Sequence, residues 1–111
     1  INKNKILYLT PTQIRNNLDD AKSKLRYFVK NSNVYITVDM DVFDPAIAPA
    51  VDNPEHNGIY LPEFLALLDE ICKANVLGVD LIEIKSQRED KITEFLGTWV
   101  IYQILNRLMN K

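Results

Sequence analysis

The chain has 111 residues and a net charge of −2, with 47% hydrophobic and 25% charged residues. This length suffices for one small domain with a modest core. The charge gives no electrostatic basis for binding nucleic acid or an anionic membrane surface, and no apolar stretch is long enough to span a bilayer. The single cysteine, Cys72, excludes a disulfide framework within the chain and is typical of a reducing, cytoplasmic compartment.

Strands and helices are predicted to alternate along the chain. Thr10, Pro11 and Gln13 form a capping-box pattern that starts the first helix. Apolar residues at helical spacing and proline-rich turn signals define the other elements. In chain order, the predicted elements are a strand at 6–9, a helix at 11–29, a strand at 34–38, a loop at 44–58, a helix at 62–73, a strand at 76–84 and a helix after Asp90.

Acidic residues follow the two longer predicted strands. A helix between two strands implies parallel pairing with a right-handed connection. Ligand sites in such sheets lie beyond the carboxyl ends of the strands. Asp39 and Asp41 end the first strand and Glu83 ends the second. Residues 1–111 are therefore predicted to form a single α/β unit, a parallel sheet with flanking helices, with these acids in one crevice.

Asp39 and Asp41 are the first candidates for chemistry. Their spacing directs two strand side chains to the same side. Carboxylates that converge in a partly dry pocket repel each other unless they share a cation or a proton. Hard divalent ions such as Mn²⁺ or Mg²⁺ prefer carboxylate oxygens. The sequence thus predicts a metal site here, whereas Asp44, which precedes Pro45, is predicted to be a structural turn residue.

Two segments carry a family resemblance. Residues 39–50, DMDVFDPAIAPA, resemble the late signature of the ureohydrolases, which include agmatinase and arginase, and residues 78–84, GVDLIEI, are similar to a later strand motif of that family. The resemblance implies the C-terminal part of the arginase-like three-layer α/β/α fold. It implies that Asp39 and Asp41 ligate a binuclear manganese (Mn²⁺) centre and that Glu83 contacts the substrate guanidinium. Asn53 stands where the family has a substrate-contacting threonine, so it is a second substrate-binding candidate.

The resemblance also implies a reaction, the hydrolysis of a small guanidino substrate to urea and an amine. Agmatine, giving putrescine and urea, is the preferred substrate, with arginine or another guanidino acid as the alternative. The family's upstream histidine motifs are absent, and the only histidine, His56, lies in the loop. We therefore expect the isolated chain to be inactive and to need a missing N-terminal portion or a complementary subunit. Because members of this family commonly assemble as oligomers, the resemblance also implies a homo-oligomer.

Two other interpretations remain open at this stage. An apolar strand that ends in D-x-D-V also starts phosphatases of the haloacid-dehalogenase type, although their later G-D-x-x-x-D pattern is missing here. The second interpretation is a non-catalytic remnant with a structural or regulatory role. It stays open because residues 51–53 depart from the family pattern. Cys72 and Trp99 are predicted to be core residues.

Overall fold

The computed structural model describes residues 5–85 and 88–111 of the chain. Its elements are helices α1 (Pro11–Asn16) and α2 (Leu18–Val29), strand β1 (Asn33–Asp39), a 3₁₀ turn (Met40–Val42), helix α3 (Leu61–Ile71), strand β2 (Asn75–Ile82) and helix α4 (Ile92–Met109). The predicted strand at residues 6–9 does not form, and this segment runs into α1 without regular structure. The other predicted elements are present with small changes of boundary.

The predicted helix over residues 11–29 is divided in two. The capping box at its start is confirmed, because the Thr10 hydroxyl accepts the Gln13 N–H at 3.1 Å and the Gln13 side chain accepts the Thr10 N–H at 2.8 Å. Asn17 has φ −151°, which is outside the helical region, and its side-chain oxygen accepts the Asp20 N–H at 3.1 Å. Asn17 thus ends α1 and caps α2, because an asparagine side chain competes with the helical backbone for hydrogen bonds.

β1 and β2 form a two-stranded parallel sheet, as predicted. The register pairs Asn33 with Asn75 and Asp39 with Ile82, with one irregularity after Val34. Alternate β1 residues Ile36 and Val38 are buried in one cluster with side chains of α2, α3 and α4. The intervening β1 residues are exposed, so one face of the sheet is covered by helices and the other is open.

Helix α4 is apolar on two sides. Its inner side buries Val100 and Ile104 in the core, and Gly97 leaves room for the side chains of Leu81 and Ile84. Trp99, predicted to be a core residue, is 37% exposed, so that prediction is wrong. Trp99 belongs to an outer stripe of large apolar side chains, which consists of Ile92, Phe95, Trp99, Tyr102, Leu105 and Met109. Apolar side chains on two sides of a helix are typical of a helix that is covered on more than one side.

Cys72 is buried, as predicted, at the end of α3, and burial raises the pKa of its thiol. Among the described helices, none combines the length and hydropathy that crossing a bilayer requires.

Candidate functional site

The carboxyl end of β1 brings Asp39 and Asp41 together in a way that differs from the prediction. β1 ends at Asp39, and Met40 begins a 3₁₀ turn, so Asp41 does not lie in the strand. The Asp39 carboxylate accepts the Asp41 N–H at 2.9 Å. The side chain of Met40, the residue between the two aspartates, is fully buried. The turn at the strand end, and not strand alternation, therefore places the two acids side by side.

Asp41 lies in a drier environment than Asp39. One of its carboxylate oxygens, Oδ1, is buried and has no hydrogen-bond partner among the described residues. The pKa of Asp41 is raised, first by burial and then by the negative charge of Asp39, while a hydrogen bond from the Asn53 side chain lowers it. Both raising effects disfavour the ionised carboxylate, and a bound cation would offset both of them.

The acids at this strand end fit part of a metal site. Carboxylate oxygens suit Mn²⁺, and the unpartnered buried oxygen of Asp41 has a free position for a ligand bond. However, within residues 5–85 and 88–111 no three His, Cys, Asp or Glu side chains converge closely enough to hold a metal ion. Asp39 and Asp41 thus supply two ligands at most, and further ligands would have to come from outside this part of the chain.

Asp44 has the structural role that was predicted for it. Its carboxylate accepts the Ala46 N–H at 2.9 Å and the Gly58 N–H at 3.2 Å. These hydrogen bonds, with that to Ala46 the largest cause, lower the pKa of Asp44 despite partial burial. Gly58 approaches the Phe43–Asp44 backbone so closely that a Cβ would lie 2.4 Å from the Asp44 nitrogen. Asp44 therefore closes the base of the loop over residues 44–58.

Arg15, which sequence reasoning did not single out, holds the C-terminal end of the same loop. Its guanidinium donates to both Glu63 carboxylate oxygens, at 2.8 and 3.0 Å. It also donates to the Asn57 side chain at 2.6 Å and to the Gly58 carbonyl at 2.9 Å. A planar guanidinium suits such multiple contacts. His56, which precedes Asn57 in the loop, is exposed.

The middle of the loop lies over the acidic site. The Asn53 side chain lies near the Asp41 carboxylate and lowers its pKa, whereas the nearby charge of Asp52 raises it. Asn53, predicted to bind substrate, therefore lies beside a predicted metal ligand. Its amide can orient that carboxylate and still keep hydrogen-bonding capacity for a ligand.

Glu83 follows β2 directly at the same edge of the sheet. Its neighbour Ile82 is the register partner of Asp39, so the carboxyl ends of both strands lie together as predicted. Glu83 is exposed and has φ +68°, the left-handed conformation that non-glycine residues rarely adopt. Strained backbone of this kind clusters at functional sites. The conformation turns the chain, so that Lys85 reaches the loop, where its N–H donates to the Ala50 carbonyl at 2.8 Å.

Asp80 lies on the open face of the sheet. Its carboxylate accepts the Tyr35 hydroxyl at 3.1 Å, which supplies the partner that a carboxylate inside a strand needs. The ring of Tyr35 covers Gly78, where a Cβ would lie 2.6 Å from it. Asp80 Oδ1 is buried and without a partner among the described residues.

A model of the Arginase family matches residues 1–106 of the chain. The chain belongs to the arginase family. Putative agmatinase 3 of Schizosaccharomyces pombe is 31% identical over 93 residues, which cover 83% of this chain and 23% of that protein. Agmatinase of Proteus mirabilis is 29% identical over 89 residues, which cover 79% of this chain and 29% of that protein.

Solved structures show the same relationship. Proclavaminate amidino hydrolase from Streptomyces clavuligerus matches with a TM-score of 0.82 and 28% identity, over 90% of this arginase-family chain and 34% of that chain. Agmatine ureohydrolase of Thermoplasma volcanium matches with a TM-score of 0.73 and 25% identity, over 89% and 33% of the two chains. The fold is therefore arginase-like, and the chain spans less than a third of the length of the two agmatinases from Schizosaccharomyces pombe and Proteus mirabilis. Membership of this family sets aside the phosphatase alternative.

Proposed function

We propose that this chain is the C-terminal portion of a ureohydrolase, a single α/β unit over residues 1–111 that supplies part of a binuclear Mn²⁺ centre. The observation that carries the proposal is the half-buried Asp41 carboxylate, which lies beside Asp39 at the carboxyl end of a parallel strand. One of its oxygens has no hydrogen-bond partner in the described part of the chain. The relatives named agmatinase support hydrolysis of a linear amidine, with agmatine as the preferred substrate and arginine or another guanidino acid as the alternative.

Each candidate site residue would have a separate role in the reaction. Asp39 and Asp41 would hold the metal ions, which when bound lower the pKa of a coordinated water and so supply a nucleophile near neutral pH. Asn53, whose side chain lies near the Asp41 carboxylate, would hold it in its ligating orientation by a hydrogen bond from the amide. Glu83, exposed at the same edge of the sheet, would bind the planar guanidinium through charge-assisted hydrogen bonds.

The proposal includes a partner. Two carboxylates are too few for two Mn²⁺ ions, and a two-stranded parallel sheet with one open face is atypical, since parallel sheets are covered on both faces. We therefore propose that the remaining ligands and the cover of the open face come from an N-terminal portion of a longer cytoplasmic enzyme, or from a complementary subunit. The complete protein would form a homo-oligomer.

The intact mass of the native polypeptide, detected in its source cells with an antibody against residues 44–58, tests the partner. A mass well above 12.8 kDa supports a longer enzyme. A mass near 12.8 kDa supports the proposal only if the chain copurifies with a subunit that completes the site. A lone polypeptide of that mass without bound metal would instead favour a non-catalytic remnant.

The reaction is tested by urea release from the purified native polypeptide or complex, with agmatine, arginine and guanidinobutyrate as substrates. Asp41→Asn should abolish Mn²⁺-dependent urea release, because the amide is a weaker ligand without charge. Asp19→Asn, which changes an exposed acid on α2, is the matched control and should leave activity unchanged. Full activity of Asp41→Asn would contradict the metal role of Asp41.

A further inference from the structure

Thr93 lies in the first turn of α4 and is fully buried, with no exposed surface. Its hydroxyl oxygen accepts the Ala50 N–H at 2.8 Å in a buried hydrogen bond. A buried backbone N–H needs a partner, and a threonine hydroxyl is well suited to reach a neighbouring loop. The bond ties the start of the last helix to the loop that lies over the acidic site.

The carbonyl of Ala50 is held from the same side. It accepts the Lys85 N–H at 2.8 Å, and the Lys85 ammonium lies 3.2 Å from the Asp52 carboxylate. The Ala50 N–H is thus bonded to Thr93 at the start of α4, and the Ala50 carbonyl is bonded to Lys85 after β2. The ion pair is half-exposed and adds little, so the two backbone bonds define this contact.

The contact lies between the two parts of the candidate site. Asn53, three residues after Ala50, lies near enough to the Asp41 carboxylate to lower its pKa. Glu83, two residues before Lys85, carries the left-handed turn at the end of β2. Few residues separate each of these side chains from Ala50, so the position of the Ala50 backbone sets how Asn53 and Glu83 stand relative to one another.

We propose that Thr93 is a positioning residue of the site, whose buried hydroxyl fixes Ala50 and thereby holds Asn53 against Asp41 opposite the Glu83 turn. The inference rests on the proposed function, in which Asn53, Asp41 and Glu83 act on one substrate. Thr93 itself touches neither substrate nor metal; it acts through the loop backbone.

Thr93→Val tests the role of the hydroxyl, because valine keeps the shape of threonine and removes the acceptor. In the isolated chain without metal, the NMR signal of the Asn53 side-chain amide should move towards the position that it has in Asp41→Ala, where the neighbouring carboxylate is absent. Hydrogen exchange of the Lys85 amide should be about tenfold faster, relative to Ile36 in the core strand. Thr93→Ser should restore both, because serine keeps the acceptor.

Thr98→Val is the matched control. Thr98 lies on the same helix and is exposed, with its hydroxyl bonded to the Glu94 carbonyl of its own helix at 2.9 Å. This change should leave the Asn53 signal in place. An Asn53 signal that is also unchanged in a folded Thr93→Val would overturn the proposal. If Thr93→Val does not fold, Thr93→Cys gives the same comparison, since a thiol keeps similar volume but accepts weakly.

Addition of Mn²⁺ separates this inference from the proposed function. In the wild-type chain the ion should broaden the amide signals of Asp39 and Asp41 and the side-chain signal of Asn53. In Thr93→Val, broadening at the two aspartates should persist while that at Asn53 weakens. If Mn²⁺ broadens none of these signals in the wild type, Asp39 and Asp41 do not bind the ion without the missing ligands, and urea release by the native complex decides the proposed function. The metal-free comparison still decides the role of Thr93.

Discussion

Arg26 and Glu70 join α2 to α3 through two parallel hydrogen bonds, from Nε to Oε2 and from Nη2 to Oε1, both at 2.9 Å. The Glu70 side chain is only 2% exposed, and Lys73 lies 3.2 Å from it. The hydrogen bonds from Arg26 are the main cause that lowers the pKa of Glu70 to about 2, against the opposing effect of burial. The pair therefore stabilises the helix layer only while Glu70 is ionised.

Glu70→Gln should destabilise the chain at neutral pH and become less harmful in acid. The folded pKa of Glu70 lies below the ordinary value of 4.5, so its contribution is fully present above pH 4.5 and is lost as the pH falls towards 2. Arg26 and Lys73 are more than half exposed, and water screens the pair, so we expect a loss of about 1–2 kcal/mol at pH 7.

Urea unfolding of both proteins between pH 7 and pH 2 measures this difference. Asp20→Asn is the control, because Asp20 pairs with Lys24 on the surface and should change stability by less than about 0.5 kcal/mol. A difference between wild type and Glu70→Gln that stays constant down to pH 2 would show that ionisation of Glu70 does not matter.

Gly58→Ala should destabilise the loop strongly. A Cβ there would lie 2.4 to 2.6 Å from backbone atoms of Phe43 and Asp44, which cannot move without breaking the turn that follows β1. We expect a loss of more than about 2 kcal/mol in urea unfolding. Gly97→Ala is the comparison, because its Cβ would meet the end of the Ile84 side chain at 2.9 Å, which can rotate away. Equal stability losses in the two variants would disprove the distinction.

Glu83→Gly and Glu83→Ala should differ in stability although both remove the carboxylate. With φ +68°, position 83 is strained for alanine and unstrained for glycine. We expect the glycine variant to be more stable by about 1 kcal/mol in denaturant unfolding. In the complete enzyme both should lose guanidinium binding, so KM should rise in each. A more stable alanine variant would mean that the left-handed turn is absent in solution.

The outer stripe of α4 should drive self-association of the isolated chain. Phe95 is 73% and Tyr102 62% exposed, and contiguous apolar patches of this kind mark interfaces. The double variant Phe95→Glu, Tyr102→Lys should shift the mass measured by light scattering towards the monomer. Tyr27→Lys, which changes an exposed aromatic residue on α2, should not. Unchanged association in the double variant would exclude this stripe as the interface and would favour the open face of the sheet instead.

Much of the fold follows from local chemistry in the sequence. The capping box at Thr10 and the apolar run of β1 are short-range signals, and the structure has the corresponding elements. The break at Asn17 was missed because an apolar helical pattern continues across it, whereas the asparagine side chain stops one helix and caps the next. The segment at residues 6–9 is apolar enough for a strand, but within residues 5–85 and 88–111 no strand pairs with it.

By itself, the sequence determined the parallel strand pair, the family and the identity of the acids at the sheet edge, because these depend on residue type and spacing. Only the tertiary structure decided how those acids are arranged. The 3₁₀ turn brings Asp41 to Asp39, the loop brings Asn53 to Asp41, and Thr93 holds that loop from 43 residues away in the chain. Such contacts join residues with no local signal in common, so they form only when the helices pack on the sheet.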